Sequence, residues 1–344
     1  MKFLRPGLAL LLGALSAGLA GAADAQAPAA ASVAVPPPPP KFGPVARADL
    51  RARDGFVYPD PATQTYLLYF SSGQRGPHGR AAVVAYTSKD LETWTGPTCV
   101  FERPEEWWAD RSIWAPEMHA YRGRFYLFLT FDSTHQFPEQ WRDWLPRVKR
   151  GSQVLVADSP LGPFTPFANH STLPEDMMTL DGTLWVEDGA PYMVFCHEWV
   201  QIKDGTVETV RLKDDLSAIA GEPVRLFHGS DAPWSKKSPQ FGCHVTDGPW
   251  LYRTKGGQLL MLWSSGSETG YAVGLATSAS GRLAGPWTQA AAPLFGADGG
   301  HPMLFHRFDG QLMLALHQPN KTPLEREVFL ELEEVNDTLA LKAK

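Results

Sequence analysis

The chain has 344 residues and a net charge of −6, with acidic and basic side chains interspersed. No basic stripe runs along it, which argues against nucleic acid as a partner. The 12 Trp, 9 Tyr and 18 Phe suit packed β-blades or sugar-stacking surfaces, and the three cysteines lack the C-x-x-C spacing of a zinc site.

Lys2 and Arg5 precede an apolar run from Leu8 to Ala20, followed by small residues through Ala27. This order predicts a secretory signal peptide over residues 1–23. Residues 24–41 read as an Ala/Pro-rich linker ending in five consecutive prolines, an extended spacer that cannot bury a core. The expected folded domain is 42–344. The expected location is secreted or periplasmic, as a monomer free of the membrane after cleavage. Three cysteines in an exported chain permit one internal bridge at most, and Cys196, inside an apolar run, reads as a buried thiol.

Five similar units follow. Each starts with a polar residue, continues through a short strand and a turn, and ends in a strongly apolar strand. Asp54, Glu117, Asp181, Asp247 and His301 mark the starts, at gaps of 63, 64, 66 and 54 residues. Turns such as Asp188-Gly189 and Asp309-Gly310 separate the paired strands. Outer strands with Gly-Pro corners follow at Trp94-Thr95-Gly96-Pro97, Gly162-Pro163-Phe164 and Gly285-Pro286-Trp287. No stretch carries a sustained helical period. The reading is all-β, a five-bladed β-propeller. Its last blade is expected to be completed by Val328–Leu332 beside N-terminal residues. In such a ring the unit starts face the axis, gathering three aspartates, a glutamate and a histidine.

Asp54 in Arg-Asp-Gly-Phe-Val, Trp114-Ala115-Pro116-Glu117, Asp181 in Leu-Asp-Gly-Thr-Leu and Gly299-Gly300-His301 resemble glycoside hydrolase family 43 in order and spacing. Thr87–Trp94 and Leu161-Gly162-Pro163-Phe164 add to the likeness, which extends from about Asp49 to the C-terminal strand. The resemblance implies a five-bladed propeller and an inverting glycosidase acting on arabinose-, xylose- or galactofuranose-containing oligo- or polysaccharides. It also implies Asp54 as general base and Asp181 as the carboxylate that tunes the acid. Inversion needs a base and an acid typically ~6.5–9.5 Å apart, which residues on different blades can supply.

The chain departs from the family where Glu-Gly-Pro becomes Asp247-Gly248-Pro249. A shorter side chain reaches less far. Glu198, in Cys196-His197-Glu198-Trp199-Val200-Gln201, is therefore the preferred general acid, with Asp247 the alternative and otherwise a substrate contact. Trp114, Trp199, Gln201, Trp250 and His301 are the remaining expected substrate-binding residues. No cofactor is expected, although the resemblance allows a structural cation in the channel near His301. Two rivals stand: a carbohydrate-binding propeller without catalysis, and a retaining propeller glycosidase, whose Trp-Met-Asn-Asp motif is missing here.

Overall fold

The computed structural model describes residues 43–343. The expected signal peptide and linker lie outside the described residues. Blade one contains β1 (Gly43–Ala46), β2 (Phe56–Asp60), β3 (Thr65–Phe70), β4 (Ala82–Ser88) and β5 (Thr93–Glu102). Blade two contains β6 (Ile113–Tyr121), β7 (Arg124–Phe131), β8 (Gly151–Ala157) and β9 (Thr165–Pro166). Blade three contains β10 (Thr179–Glu187), β11 (Ala190–His197), β12 (Thr206–Arg211) and β13 (Val224–His228), with the single-turn helix α1 (Trp199–Ile202) after β11. Blade four contains β14 (Asp247–Arg253), β15 (Leu259–Ser267), β16 (Gly270–Ser278) and β17 (Trp287–Gln289). Blade five contains β18 (Gly300–His306), β19 (Leu312–Gln318), β20 (Arg326–Val335) and β21 (Thr338–Leu341).

Each blade is an antiparallel meander in sequence order, and β1 is added to the outer edge of blade one beside β5. The first strands β2, β6, β10, β14 and β18 touch one another in that order, and β18 returns to β2. The ring is closed, as a five-bladed propeller requires.

The second strands are buried on both faces between blades, which explains their continuous apolar runs. Trp94, Trp263, Phe128 and Phe195 are among the fully buried side chains that fill these layers. Cys99, Cys196 and Cys243 are all free thiols.

One expectation holds in part. Val328–Leu332 lies in β20, which pairs with β19 and β21 and has no N-terminal strand beside it. The turn Asn336-Asp337, both residues at positive φ, returns the chain to form β21 as a fourth strand. Blade five therefore takes no strand from the N-terminal residues, although Arg47–Asp49 pack beside β20.

Candidate active site

The starts of the inner strands share one local device. In blades two to five the pairing skips two residues, giving bulges at Ala115-Pro116, Asp181-Gly182, Gly248-Pro249 and His301-Pro302. Asp54-Gly55 occupies the same place ahead of β2, where Phe56 begins the pairing with Tyr69. The first residue of all five pairs has a left-handed backbone: φ is 52° at Asp54, 44° at Ala115, 56° at Asp181, 51° at Gly248 and 59° at His301. Non-glycine residues seldom adopt this conformation. A bulge re-aims a side chain out of the pleat, and here it delivers Asp54, Asp181 and His301 to one cavity.

The structural phase differs from the phase read in the sequence. Glu117 lies two residues beyond its bulge residue, and Asp247 lies one residue before its own. Glu117 is accordingly buried below the cavity, bonded to His119 at 3.0 Å. Trp250 occupies the equivalent place in blade four. Its ring stacks on His119 with centroids 6.0 Å apart and leans on Phe56 at 5.8 Å. These rings come from blades four, two and one, so they meet across the axis and plug the channel.

Above the plug lies a cavity of ≈ 680 Å3 lined by Asp54, Asp181, Asp247, Glu198, His301 and Trp114, among others. Asp54 is 3.5 Å from His301 Nδ1 and 2.9 Å from His317 Nδ1, and Arg53 Nε stands 3.5 Å from its other oxygen. Asp181 Oδ2 accepts a hydrogen bond from the Gly248 backbone N–H at 3.1 Å and lies 3.8 Å from His301 Nδ1. Its own N–H donates to Thr130 Oγ1. Tyr271 donates its hydroxyl to Asp247 Oδ2 at 2.8 Å. The tyrosine ring stacks on His317, so β16 and β19 brace Asp247 and Asp54 together.

The three aspartates share a small volume but not a protonation state. Burial raises a carboxyl's pKa, yet at Asp54 His301, His317 and Arg53 outweigh it and hold the group well below the usual range. Arg53 is charged at every relevant pH, so the ionised form of Asp54 is secured. Burial, with Asp247 and Asp54 beside it, pushes Asp181 well up. Asp247 is pushed up to about 7, mainly by burial, against the opposing hydrogen bond from Tyr271. Burial lowers the His301 imidazole against the pull of Asp54.

Glu198 reaches the cavity from the residue before α1, its backbone N–H bonded to Met178 O. Its carboxylate forms an ion pair with Arg150, which also bonds Asp132 at 2.8 Å and lies over the Trp114 ring at 4.4 Å. Burial raises Glu198 and Arg150 opposes it. The balance leaves Glu198 above the ordinary carboxylate range, while the ion pair with Arg150 favours its ionised form. Two expected contacts are not brought to the cavity. Trp199 packs on Phe241 and Trp144 instead. Gln201 accepts from Met178 N–H and donates to Asp176 O, pinning α1 and with it Glu198. Among the described residues no three His, Cys, Asp or Glu side chains converge as a metal cradle.

Residues 51–338 match the family described as Glycosyl hydrolases family 43. The chain belongs to this family. An endo-arabinase of Bacteroides thetaiotaomicron VPI-5482 is 38% identical with a TM-score of 0.75, over 86% of this chain and 99% of that one. An α-L-arabinofuranosidase of Lactobacillus brevis, at 19% identity and TM-score 0.66, covers 86% of this chain and 94% of its own, a likeness of fold alone. Alpha-L-arabinofuranosidase 43 of Humicola insolens is 24% identical over 188 residues, 53% of this chain. The match spans only 36% of that relative's length. Family 43 membership accounts for the ring of five blades. His317, Tyr271 and Arg150 were not evident in the sequence, because His317 and Tyr271 enter from β19 and β16, Arg150 from the residue before β8, and none carries a repeat.

Proposed function

We propose that this chain is an exported, inverting family 43 glycoside hydrolase that removes arabinofuranosyl or related pentosyl or galactofuranosyl units from oligo- or polysaccharides. The observation that carries the reading is the split among the floor carboxylates. Asp54 is held ionised while Asp247, on the blade next to that of Asp181, is held near pH 7. Pairs of carboxyls whose surroundings push them apart define an acid and a base.

In this mechanism Asp54 takes a proton from water as the water oxygen attacks the anomeric carbon. Asp247 gives its proton to the glycosidic oxygen as the carbon–oxygen bond breaks. The sugar leaves with inverted configuration and the aglycone leaves as an alcohol. Asp54 and Asp247 then exchange their protons with solvent. Asp181 adds negative potential beside Asp247 and fixes the Gly248 backbone. Glu198, held by Arg150, accepts hydrogen bonds from sugar hydroxyls, and His301 and Trp114 complete the sugar pocket. The likeness to an endo-arabinase at 38% identity favours arabinose among the candidate sugars.

Aryl α-L-arabinofuranoside, β-D-xyloside and β-D-galactofuranoside test the reading directly. Turnover of at least one is expected, with the opposite anomer appearing first by NMR. Retention would overturn the mechanism, and binding without turnover of any aryl glycoside would leave a carbohydrate-binding propeller.

A further inference from the structure

The cavity wall built by blade one and the start of blade two is rich in cations. Arg51, Arg53, Arg75, Arg103 and Arg111 all line it. Three are committed to carboxylates: Arg53 to Asp54 at 3.5 Å, Arg51 to Glu325 at 3.2 Å and Arg111 to Asp132 at 3.4 Å. Arg75 and Arg103 are not paired with any acid among the described residues. Two acids near Arg103 in sequence, Glu102 and Asp110, are already occupied. Glu102 accepts from His78 and from the Arg80 backbone, and Asp110 accepts from the Thr134 backbone. Arg103 donates Nη1 to Pro104 O at 3.2 Å, but its Nε is buried with no acceptor. Arg75 stands exposed on the loop between β3 and β4, which a bridge from Arg75 to Ala81 holds in place.

A neutral furanoside offers hydroxyls and ring oxygens, none of which compensates a guanidinium charge. A guanidinium is donor-only, permanently charged and shaped for a planar anion. Arg75 and Arg103 thus place two guanidinium charges without a carboxylate partner in the cavity wall, which a bound anion would satisfy. Resting on the hydrolase reading above, we propose that this wall is a subsite for an anionic sugar unit adjoining the cleaved furanosyl residue. Arg103 and Arg75 grip its uronate carboxylate or sulfate ester. The natural substrate is then a charged polysaccharide rather than a neutral arabinan or xylan.

The test uses full-length Asp54→Asn protein, so that binding is read without turnover. Three probes are titrated calorimetrically: an arabinofuranosyl oligosaccharide bearing one uronate, its carboxyl-reduced counterpart, and the same oligosaccharide bearing a sulfate ester. At least one anionic probe is expected to bind about tenfold tighter than the reduced one at low salt, as a charge-assisted hydrogen bond implies. Whichever anion wins names the ligand. Arg103→Gln and Arg75→Gln should each shrink that ratio, and the double variant should bring it close to one. Equal affinity for all three probes, or a ratio unmoved in the double variant, would overturn the subsite. Wild-type assays on aryl furanosides separate this from the reading beneath it. Hydrolysis there without anion preference removes the subsite alone, and no hydrolysis of any aryl glycoside removes the function as well.

Discussion

At the residue scale, the assignment of acid to Asp247 and of a fixed carboxylate to Glu198 makes opposite kinetic demands. Asp247→Asn should lower kcat on natural substrate by roughly 10²–10⁴, the usual contribution of general acid catalysis. It should recover most of that loss on a dinitrophenyl glycoside, whose leaving group needs no proton. Glu198→Gln should instead act through KM and show no such recovery. The reverse pattern would return the acid to Glu198. The pH profile carries the same logic. Asp247 must be protonated, so activity should fall as pH rises through about 7. Tyr271 stabilises the ionised form by its hydrogen bond, so Tyr271→Phe should raise the Asp247 pKa and move the alkaline limb to higher pH. Stability follows with a definite sign. The folded-state pKa of Asp247 lies above the unfolded value of about 3.9, so its contribution is full below that value and is lost as pH rises through about 7. Asp247→Asn escapes this loss, and its gain in Tm over wild type should be larger at pH 8 than at pH 5. Asp54, Asp181 and His301 were recognisable in the sequence because they recur. The distinction between Asp247 and Glu198 was not, because it depends on Tyr271 and Arg150, which approach from other strands.

At the element scale, the hairpins and turns were legible, since apolar runs separated by Asp-Gly or Gly-containing turns have few alternatives. The phase of the inner strands was not. A bulge adds residues without changing the hydrophobic pattern, so Glu117 and Asp247 both looked equivalent to Asp54 in the chain. In space the equivalents are Ala115 and Gly248. The bulges also make a prediction. Gly248 has φ 51°, and a Cβ there would lie 3.0 Å from His301 Cγ and 3.1 Å from His301 Cα. The left-handed conformation alone costs a non-glycine residue about 1–2 kcal/mol. The contact with His301 is partly backbone, which cannot swing away. Gly248→Ala should therefore destabilise the fold by at least that amount in urea titrations. It should also lower kcat, because His301 is pushed against Asp54 and the Gly248 bond to Asp181 is displaced. Loss of stability with unchanged kcat would show that the bulge is structural only.

At the scale of the whole molecule, the propeller was foreseen but its closure was not. Each blade is complete in sequence order, so no strand is shared across the seam between blades five and one. Side chains take over that task. Arg47, just after β1, donates Nη1 to the Glu327 carbonyl at 2.9 Å, lies over the Phe329 ring at 5.4 Å and pairs with Glu92 at 3.2 Å. Arg326 returns the contact by donating to Ala48 O at 2.8 Å. These bonds depend on residues far apart in the chain and leave no local pattern to read. Their weights differ. Glu92 is largely exposed, so its ion pair contributes little. The bond to the Glu327 carbonyl and the cation–π contact join β20 to the N-terminal segment across the seam, and together should contribute about 1–2 kcal/mol. Arg47→Ala should then lower Tm by a few degrees, given about 2 °C per kcal/mol for a chain of this size. Glu92→Ala should lower it by less than one degree. The seam variant should also raise the rate of hydrogen exchange in β1 and β20 ahead of the other blades, because this is the blade boundary that no chain connection crosses. Equal Tm losses for the two variants would place the closure energy in the surface ion pair instead.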